Sequence, residues 1–258
     1  MNQSPYKKII KAKAFAVRIP MLVPFKFSLG EITHSSQVFV KIEDGLGNIG
    51  WGETTTFLPV FGYDQNMILK LLENYLLPNI IGLIPEEIQY IHQVMDRIVP
   101  GAAMTKAAID LALYDLVSRK NNESLCKYLS GELKKEIPVC ASIGLVDADK
   151  AIQLANHFSR EGFSAIKLKV GGVFEADIKR LQRVVEAVGD SLKIRVDANM
   201  CYTRSAASKM LECLDQMNLE CIEQPLAAED IEGHTVLAKK YKTPIAIDEG
   251  IFTKRDAY

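Results

Sequence analysis

The sequence predicts an α/β protein in two parts: an α+β domain over residues 1–130, then, over 131–258, a TIM-like (β/α) barrel of which about five βα units are present. Three observations carry the prediction. Strand-like and helical segments are segregated in the first half but alternate strictly from Ile137 onward, the patterns of α+β and parallel α/β architectures respectively. Short apolar runs in the second half close on Lys169, Asp197, Glu223 and Asp248, at intervals of about 25 to 28 residues, the length of a strand, a helix and two tight loops. At 258 residues, 48% hydrophobic and 24% charged, the chain has apolar material for one large core or two smaller ones.

In the first half, Lys8–Ile19, Gln37–Glu43 and Asn48–Glu53 read as strands. The last two are joined by the Asp44-Gly45-Leu46-Gly47 turn into an antiparallel meander. Asp64 caps a helix running to Leu76 that Pro78 stops, Pro85 opens another to about Ile98, and Ala102–Arg119 forms a long helix with Ala108, Leu111, Ala112 and Leu116 near helical spacing. These elements suggest a separate cap, joined to the barrel at Ser130–Ile137.

In the second half, Pro138–Ser142, Ala165–Val170, Lys193–Asp197, Glu220–Glu223 and Ile245–Asp248 read as short strands buried on both faces. Amphipathic helices are expected at about 147–161, 173–189, 204–217 and 229–241, with a fifth opening near Lys254. A closed eightfold barrel needs about three more strands, on the order of 75 further residues, so the sequence reads as cut short at the C-terminal side. The edges of the first and fifth strands would then be left unpaired.

A net charge of −1 and a pI near 6.5 offer no basic field for nucleic acid and no polybasic membrane patch, which favours a small-molecule partner. No segment approaches a membrane span and the N-terminus lacks an apolar signal region, giving the expectation of a cytoplasmic protein. Cys126, Cys140, Cys201, Cys213 and Cys221 are odd in number without metal spacing and are read as reduced, mostly buried thiols. His34, His92, His157 and His234 form no metal-binding pattern. Gly45-Leu-Gly47-Asn-Ile-Gly50 spells GxGxxG but runs into a strand rather than a helix, so it reads as a hairpin turn. Gly171-Gly172 is more simply a βα loop than a phosphate nest.

Lys167 and Lys169, two apart on one strand, project to the same side while Ile166 and Leu168 face the helices. Two ammonium groups inside a buried strand ask for anionic neighbours, and desolvation with crowding lowers a lysine toward use as a base. A single acid after a strand is often a helix N-cap. Asp197, Glu223 and Asp248 at three consecutive strand ends would instead be a repulsive cluster unless a divalent cation filled it, and oxygen-only ligands favour magnesium or manganese over zinc.

Lys-Leu-Lys-Val-Gly, Arg-Val-Asp-Ala-Asn, Ile-Glu-Gln-Pro-Leu and Ile-Asp-Glu-Gly, in that order, resemble the enolase superfamily, in particular its muconate-lactonizing-enzyme subgroup. Val23-Pro24-Phe25-Lys26, Gly50-Trp51-Gly52-Glu53 and the Thr105–Leu116 segment resemble that family's capping domain. The resemblance implies Asp197, Glu223 and Asp248 as Mg2+ ligands, with Mn2+ the alternative, Lys169 as base, Lys167 beside it, and Asn199 and Glu249 as supporting polar groups. It places Pro24, Phe25 and Lys26, with Thr54, Phe57 and Phe61, near loops that close over substrate, although Trp51 and Phe61 taken by themselves read more simply as structural hydrophobes. The implied activity is Mg-dependent abstraction of the proton α to a carboxylate, giving an enediolate, as in dipeptide epimerases and N-acylamino acid racemases. Muconate cycloisomerase and o-succinylbenzoate synthase are the alternatives, so the class is isomerase or lyase. The partner is a small carboxylate such as a dipeptide or N-acyl amino acid, in a protein consistent with a homo-oligomer. Two-base members carry a further lysine on the sixth strand, which these 258 residues lack, so the resemblance implies that this chain alone is inactive. The reading from another class is a truncated, non-catalytic metal-binding or association fragment.

Overall fold

The computed structural model describes residues 7–131 and 136–257, and the chain divides into two compact units. Of these, residues 7–22 and 34–131 belong to the first and residues 23–33 and 136–257 to the second. The junction expected at Ser130–Ile137 falls partly outside the described residues.

The first unit's sheet has the order β1 (Ile9–Phe27), β2 (Gly30–Asp44), β3 (Ile49–Thr55). β1 runs eight residues past the expected end at Ile19. Pro20 and Pro24 lie in this extension, but β1 is an edge strand, where proline is accommodated at positions whose N–H would face away from the one neighbour. β2 and β3 pair antiparallel from Gln37 opposite Thr55 to Glu43 opposite Ile49. Their hairpin turn is built on Asp44, fully buried, whose carboxylate accepts from Leu46 N, Asn48 N and Asn48 Nδ2 at 3.0, 2.9 and 2.8 Å. The GxGxxG spelling is this turn.

Val38, Val40 and Ile42 alternate onto the inner face and are wholly buried among helical side chains. The helices are α1 (Leu58–Phe61), α2 (Gln65–Leu71), α3 (Leu77–Ile80), α4 (Ile88–Ile98), α5 (Ala103–Lys120) and α6 (Leu125–Ser130). β3 lies so close on α5 that a Cβ on Gly50 would strike Ala112 O and one on Gly52 would strike Ala108 O. Asp64 caps α2 through Met67 N. Pro78 does not stop the helical run as expected: a π-helical turn over Leu72–Leu76 separates α2 from α3, and Pro78 falls in the first turn of α3, where a missing N–H is tolerated.

The second unit is a five-stranded parallel sheet of β4 (Cys140–Ile143), β5 (Ala165–Lys169), β6 (Lys193–Asp197), β7 (Cys221–Glu223) and β8 (Ile245–Ala246) in sequential order. Between them run α7 (Ala148–Arg160), α8 (Phe174–Val188), α9 (Arg204–Leu214) and α10 (Ile231–Lys240). Ile166, Leu168, Val196 and Ile222 point outward from the strands into a core with Leu181, Val184, Met210 and Leu211. β8 ends at Ala246 rather than Asp248, and residues 252–257 form bends and turns instead of a fifth helix. The tip of the β1–β2 hairpin belongs here: Leu145 N donates to Lys26 O at 2.7 Å and Ser28 Oγ to Ala198 O at 3.1 Å.

Among the described residues no disulfide joins any of the five cysteines. None is fully buried, contrary to the expectation, because Cys140 and Cys221 lie on the strand face away from the helices and Cys201 follows a strand end. No helix among the described residues is long and apolar enough to cross a membrane.

Candidate active site

Parallel pairing places Lys169 opposite Asp197, Asp197 opposite Glu223, and Glu223 opposite Ala246, one row across four strand ends. Strand alternation then puts Lys167, Lys169, Asp197 and Glu223 on one face. Lys169 Nζ donates to Asp197 Oδ2 at 2.5 Å and Asn199 Oδ1 at 2.7 Å, and lies 5.6 Å from the centre of the Phe27 ring. Lys167 Nζ bridges Glu223 Oε1 at 2.7 Å and Asp197 Oδ2 at 3.1 Å. Asp197 is 1% exposed and Lys169 8%, so these charges interact through little solvent.

The electrostatics follow from that packing. Burial pulls the Lys167 ammonium down, but the hydrogen bond it donates to Glu223 and the charge of Asp197 outweigh it and hold Lys167 above the ordinary lysine range. The crowding expected to weaken the lysines is thus answered at Lys167 by paired carboxylates. Burial raises Asp197, yet the attraction of Lys169 and Lys167 leaves it below the usual carboxylate range. Glu223 is raised, by burial first and then by the neighbouring Asp197 charge, despite its bond to Lys167.

Asn199, in the left-handed region at φ 41°, donates from Nδ2 to Glu249 Oε1 at 2.9 Å, and its N–H donates to Asp197 Oδ1 at 3.0 Å. Asn199 therefore ties Lys169 to the buried Glu249, whose Oε2 has no hydrogen-bond partner among the described residues. Asp248 stands apart: it lies two residues beyond β8 and is exposed. Its N–H is held, at 3.0 Å, by Gln224 Oε1. Among the described residues no three His, Cys, Asp or Glu side chains converge in metal-holding geometry. The donor chemistry nonetheless suits a hard divalent cation: two adjacent carboxylates whose mutual repulsion already raises Glu223, and a buried carboxylate oxygen left unpaired.

Pro24, Phe25 and Lys26 are strand residues of β1 rather than a loop; Phe25 is half-buried and the other two exposed. In the first unit Thr54 is buried in β3, and half-buried Phe57 and Phe61 bracket α1. Trp51 is 45% exposed, with Phe15 at 5.9 Å and Lys41 Nζ at 5.7 Å from its ring.

Sequence reasoning missed a buried pair behind the lysine. Arg180, 4% exposed, donates to Lys169 O at 2.5 Å, Val146 O at 3.1 Å and Asp177 Oδ1 at 2.8 Å, while Asp177 Oδ2 accepts from Gly171 N and Gly172 N, both at 2.9 Å. The signal was present: Asp177 and Arg180 fall on the same helical stripe as Leu181, Val184 and Val188, and charges on an apolar stripe ask for partners.

Residues 9–130 match the model of the mandelate racemase / muconate lactonizing enzyme N-terminal domain, and residues 150–258 that of the enolase C-terminal domain-like family. The chain is 33% identical over 250 residues to N-succinyl-L-Arg/Lys racemase from Bacillus cereus, covering 96% of this chain and 68% of that protein. It is 34% identical over 250 residues to hydrophobic dipeptide epimerase from Enterococcus faecalis (97% and 70%), and 34% identical over 256 residues to o-succinylbenzoate synthase from Listeria innocua (95% and 65%). The crystal structure of the Enterococcus faecalis dipeptide epimerase complexed with Mg and the dipeptide L-Leu-L-Tyr superposes with a TM-score of 0.91 over 97% of this chain and 70% of that one, at 34% identity.

Proposed function

The chain belongs to the mandelate racemase / muconate lactonizing enzyme family, and from that premise we propose that it removes the proton α to the carboxylate of a small substrate, a dipeptide or an N-acylated amino acid. The observation that carries the reading is the row of Lys169, Asp197 and Glu223 across neighbouring strand ends, with Lys167 bridging the two carboxylates.

The two lysines divide the work. Lys167, held cationic by Glu223 and Asp197, cannot accept a proton near neutral pH and serves as a fixed positive charge and hydrogen-bond donor for the substrate carboxylate. Lys169 is the base: as the neutral amine its Nζ takes the α-proton, and the electron pair of the broken C–H bond moves into the carboxylate. That step places a second negative charge beside the first, so its barrier depends on cationic groups already in place. Asp197, Glu223 and Asp248 would hold Mg2+, which when bound supplies most of that positive charge and makes the α-proton more acidic. Asn199 Oδ1 keeps Lys169 Nζ on the strand-end row, and Glu249 fixes the Asn199 amide.

The test is solvent deuterium incorporation at the α-carbon, followed by NMR across a panel of dipeptides and N-succinyl amino acids with magnesium present. Lys169→Ala should lower exchange by about a hundredfold or more, and exchange untouched by that substitution would remove Lys169 as the base. The same face could serve o-succinylbenzoate synthesis, a reading favoured by the likeness to the Listeria innocua protein; elimination of water without α-exchange of any amino-acid derivative would select it.

A further inference from the structure

Gln224 lies where β7 ends, with no exposed surface and a backbone φ of 37°. Its N–H still completes the parallel ladder by donating to Ala246 O at 2.9 Å. Beyond Ala246 the ladder would fail, because the neighbouring chain leaves the strand, and there the Gln224 side chain takes over. Oε1 accepts from Asp248 N at 3.0 Å and from Gly250 N at 3.2 Å, closing the Asp248-Glu249-Gly250 turn around one oxygen. The turn is tight: a Cβ on Gly250 would meet Ile247 Cγ2 at 2.9 Å and Ala228 O at 3.2 Å.

The other end of the amide is equally fixed. Nε2 donates to Leu226 O at 3.1 Å and stands 3.4 Å from His234 Nε2. His234 donates from Nδ1 to Asp230 O at 2.8 Å, which leaves its Nε2 to accept from Gln224 and, at 3.4 Å, from Leu226 N. A single buried amide therefore links the chain after β7, the start of α10 and the turn after β8.

We propose that Gln224 is a positioning residue for the divalent-cation site: it fixes the backbone from which Asp248 and Glu249 extend and so sets whether their carboxylates can act with Asp197 and Glu223. The inference rests on the reading of Asp197, Glu223 and Asp248 as cation ligands. The chemistry requires an amide of this length. A carbonyl oxygen with two free lone-pair directions can take both N–H groups, and the NH2 end, which a methionine lacks, anchors it to Leu226 O and His234.

The test is magnesium chloride titrated into the 258-residue chain, with the dissociation constant read by calorimetry and by the rise in melting temperature. Gln224→Met, of similar length but unable to accept or donate these bonds, should weaken magnesium binding by about 10- to 100-fold, the usual effect of removing a group that orients a ligand. A glutamine that mattered only for folding would lower the melting temperature with and without magnesium alike and leave the dissociation constant unchanged, and that result overturns the inference. If Gln224→Met fails to fold, Gln224→Asn, too short to meet both N–H groups, should show the same loss, and unchanged binding there overturns it equally. Glu223→Gln separates the two levels. Loss of magnesium binding in Glu223→Gln with full binding in Gln224→Met sinks this inference and spares the metal site, whereas a wild-type chain indifferent to millimolar magnesium takes both down.

Discussion

Replacing Arg180 by methionine should be among the most damaging single changes in the second unit. The guanidinium is 4% exposed and donates to Lys169 O, Val146 O and Asp177 Oδ1 at 2.5, 3.1 and 2.8 Å. Methionine fills much of the volume but donates nothing, so Lys169 O at the end of β5 and Val146 O in the loop before α7 lose a charged donor, each worth about 1.5 to 3 kcal/mol. Asp177, 4% exposed, would keep its charge with only the Gly171 and Gly172 N–H groups facing it. Breaking a buried pair from one side costs about 3 to 5 kcal/mol, and because these terms share one loop a total of about 4 kcal/mol is expected rather than their sum. Urea unfolding at neutral pH, followed by far-ultraviolet circular dichroism, measures it. The single tryptophan, Trp51, lies in the first unit and its fluorescence gives a parallel signal from there. The double variant Asp177→Leu/Arg180→Met, which removes both charges, should be less destabilised than the two single variants added together. A loss below about 1 kcal/mol in Arg180→Met, or strict additivity in the double variant, would refute the argument that this pair braces the strand end bearing Lys169.

Two further outcomes are expected in the first unit. Burial alone would raise the Asp44 carboxyl, but the hydrogen bonds from Asn48 and Leu46 and the charge of Lys120 hold it below the ordinary range. A depressed folded value means the stabilisation is complete above the unfolded-chain value of about 4 and is lost as pH falls through and below it. The wild-type urea midpoint, read by Trp51 fluorescence, should therefore drop more steeply between about pH 5 and pH 3 than that of Asp44→Asn, and parallel curves would contradict this origin. Gly52→Ala places a methyl group against Ala108 O and, at 2.7 Å, Ala112 N of α5, and should cost about 3 kcal/mol or more, at the upper end for overpacking. A melting temperature within a degree of wild type would show that β3 and α5 can separate freely.

The parallel strands of the second unit were legible because burial on both faces leaves short apolar runs, and the charge closing each run marks its end. That logic located Lys169, Asp197 and Glu223 in one row. It set the end of the last strand two residues too far, since Ile245-Ala246-Ile247-Asp248 spells a four-residue strand while the chain turns away after Ala246. The turn is captured by a side chain on another strand, an interaction with no local signature. β1 was underread because its prolines are harmless only on an edge, and strand order is a property of the sheet, not of the segment.

Residues 23–33 grow from the first unit's sheet yet are bonded into the second, at Lys26 O and Ser28 Oγ. The second unit is accordingly discontinuous in sequence, and a cut near residue 131 does not yield two self-sufficient pieces. Any chimera that exchanges the C-terminal half with a relative inherits a foreign hairpin tip over Ala198, one residue from Asp197. Grafts that carry residues 23–33 along with the half they touch should outlast those that do not.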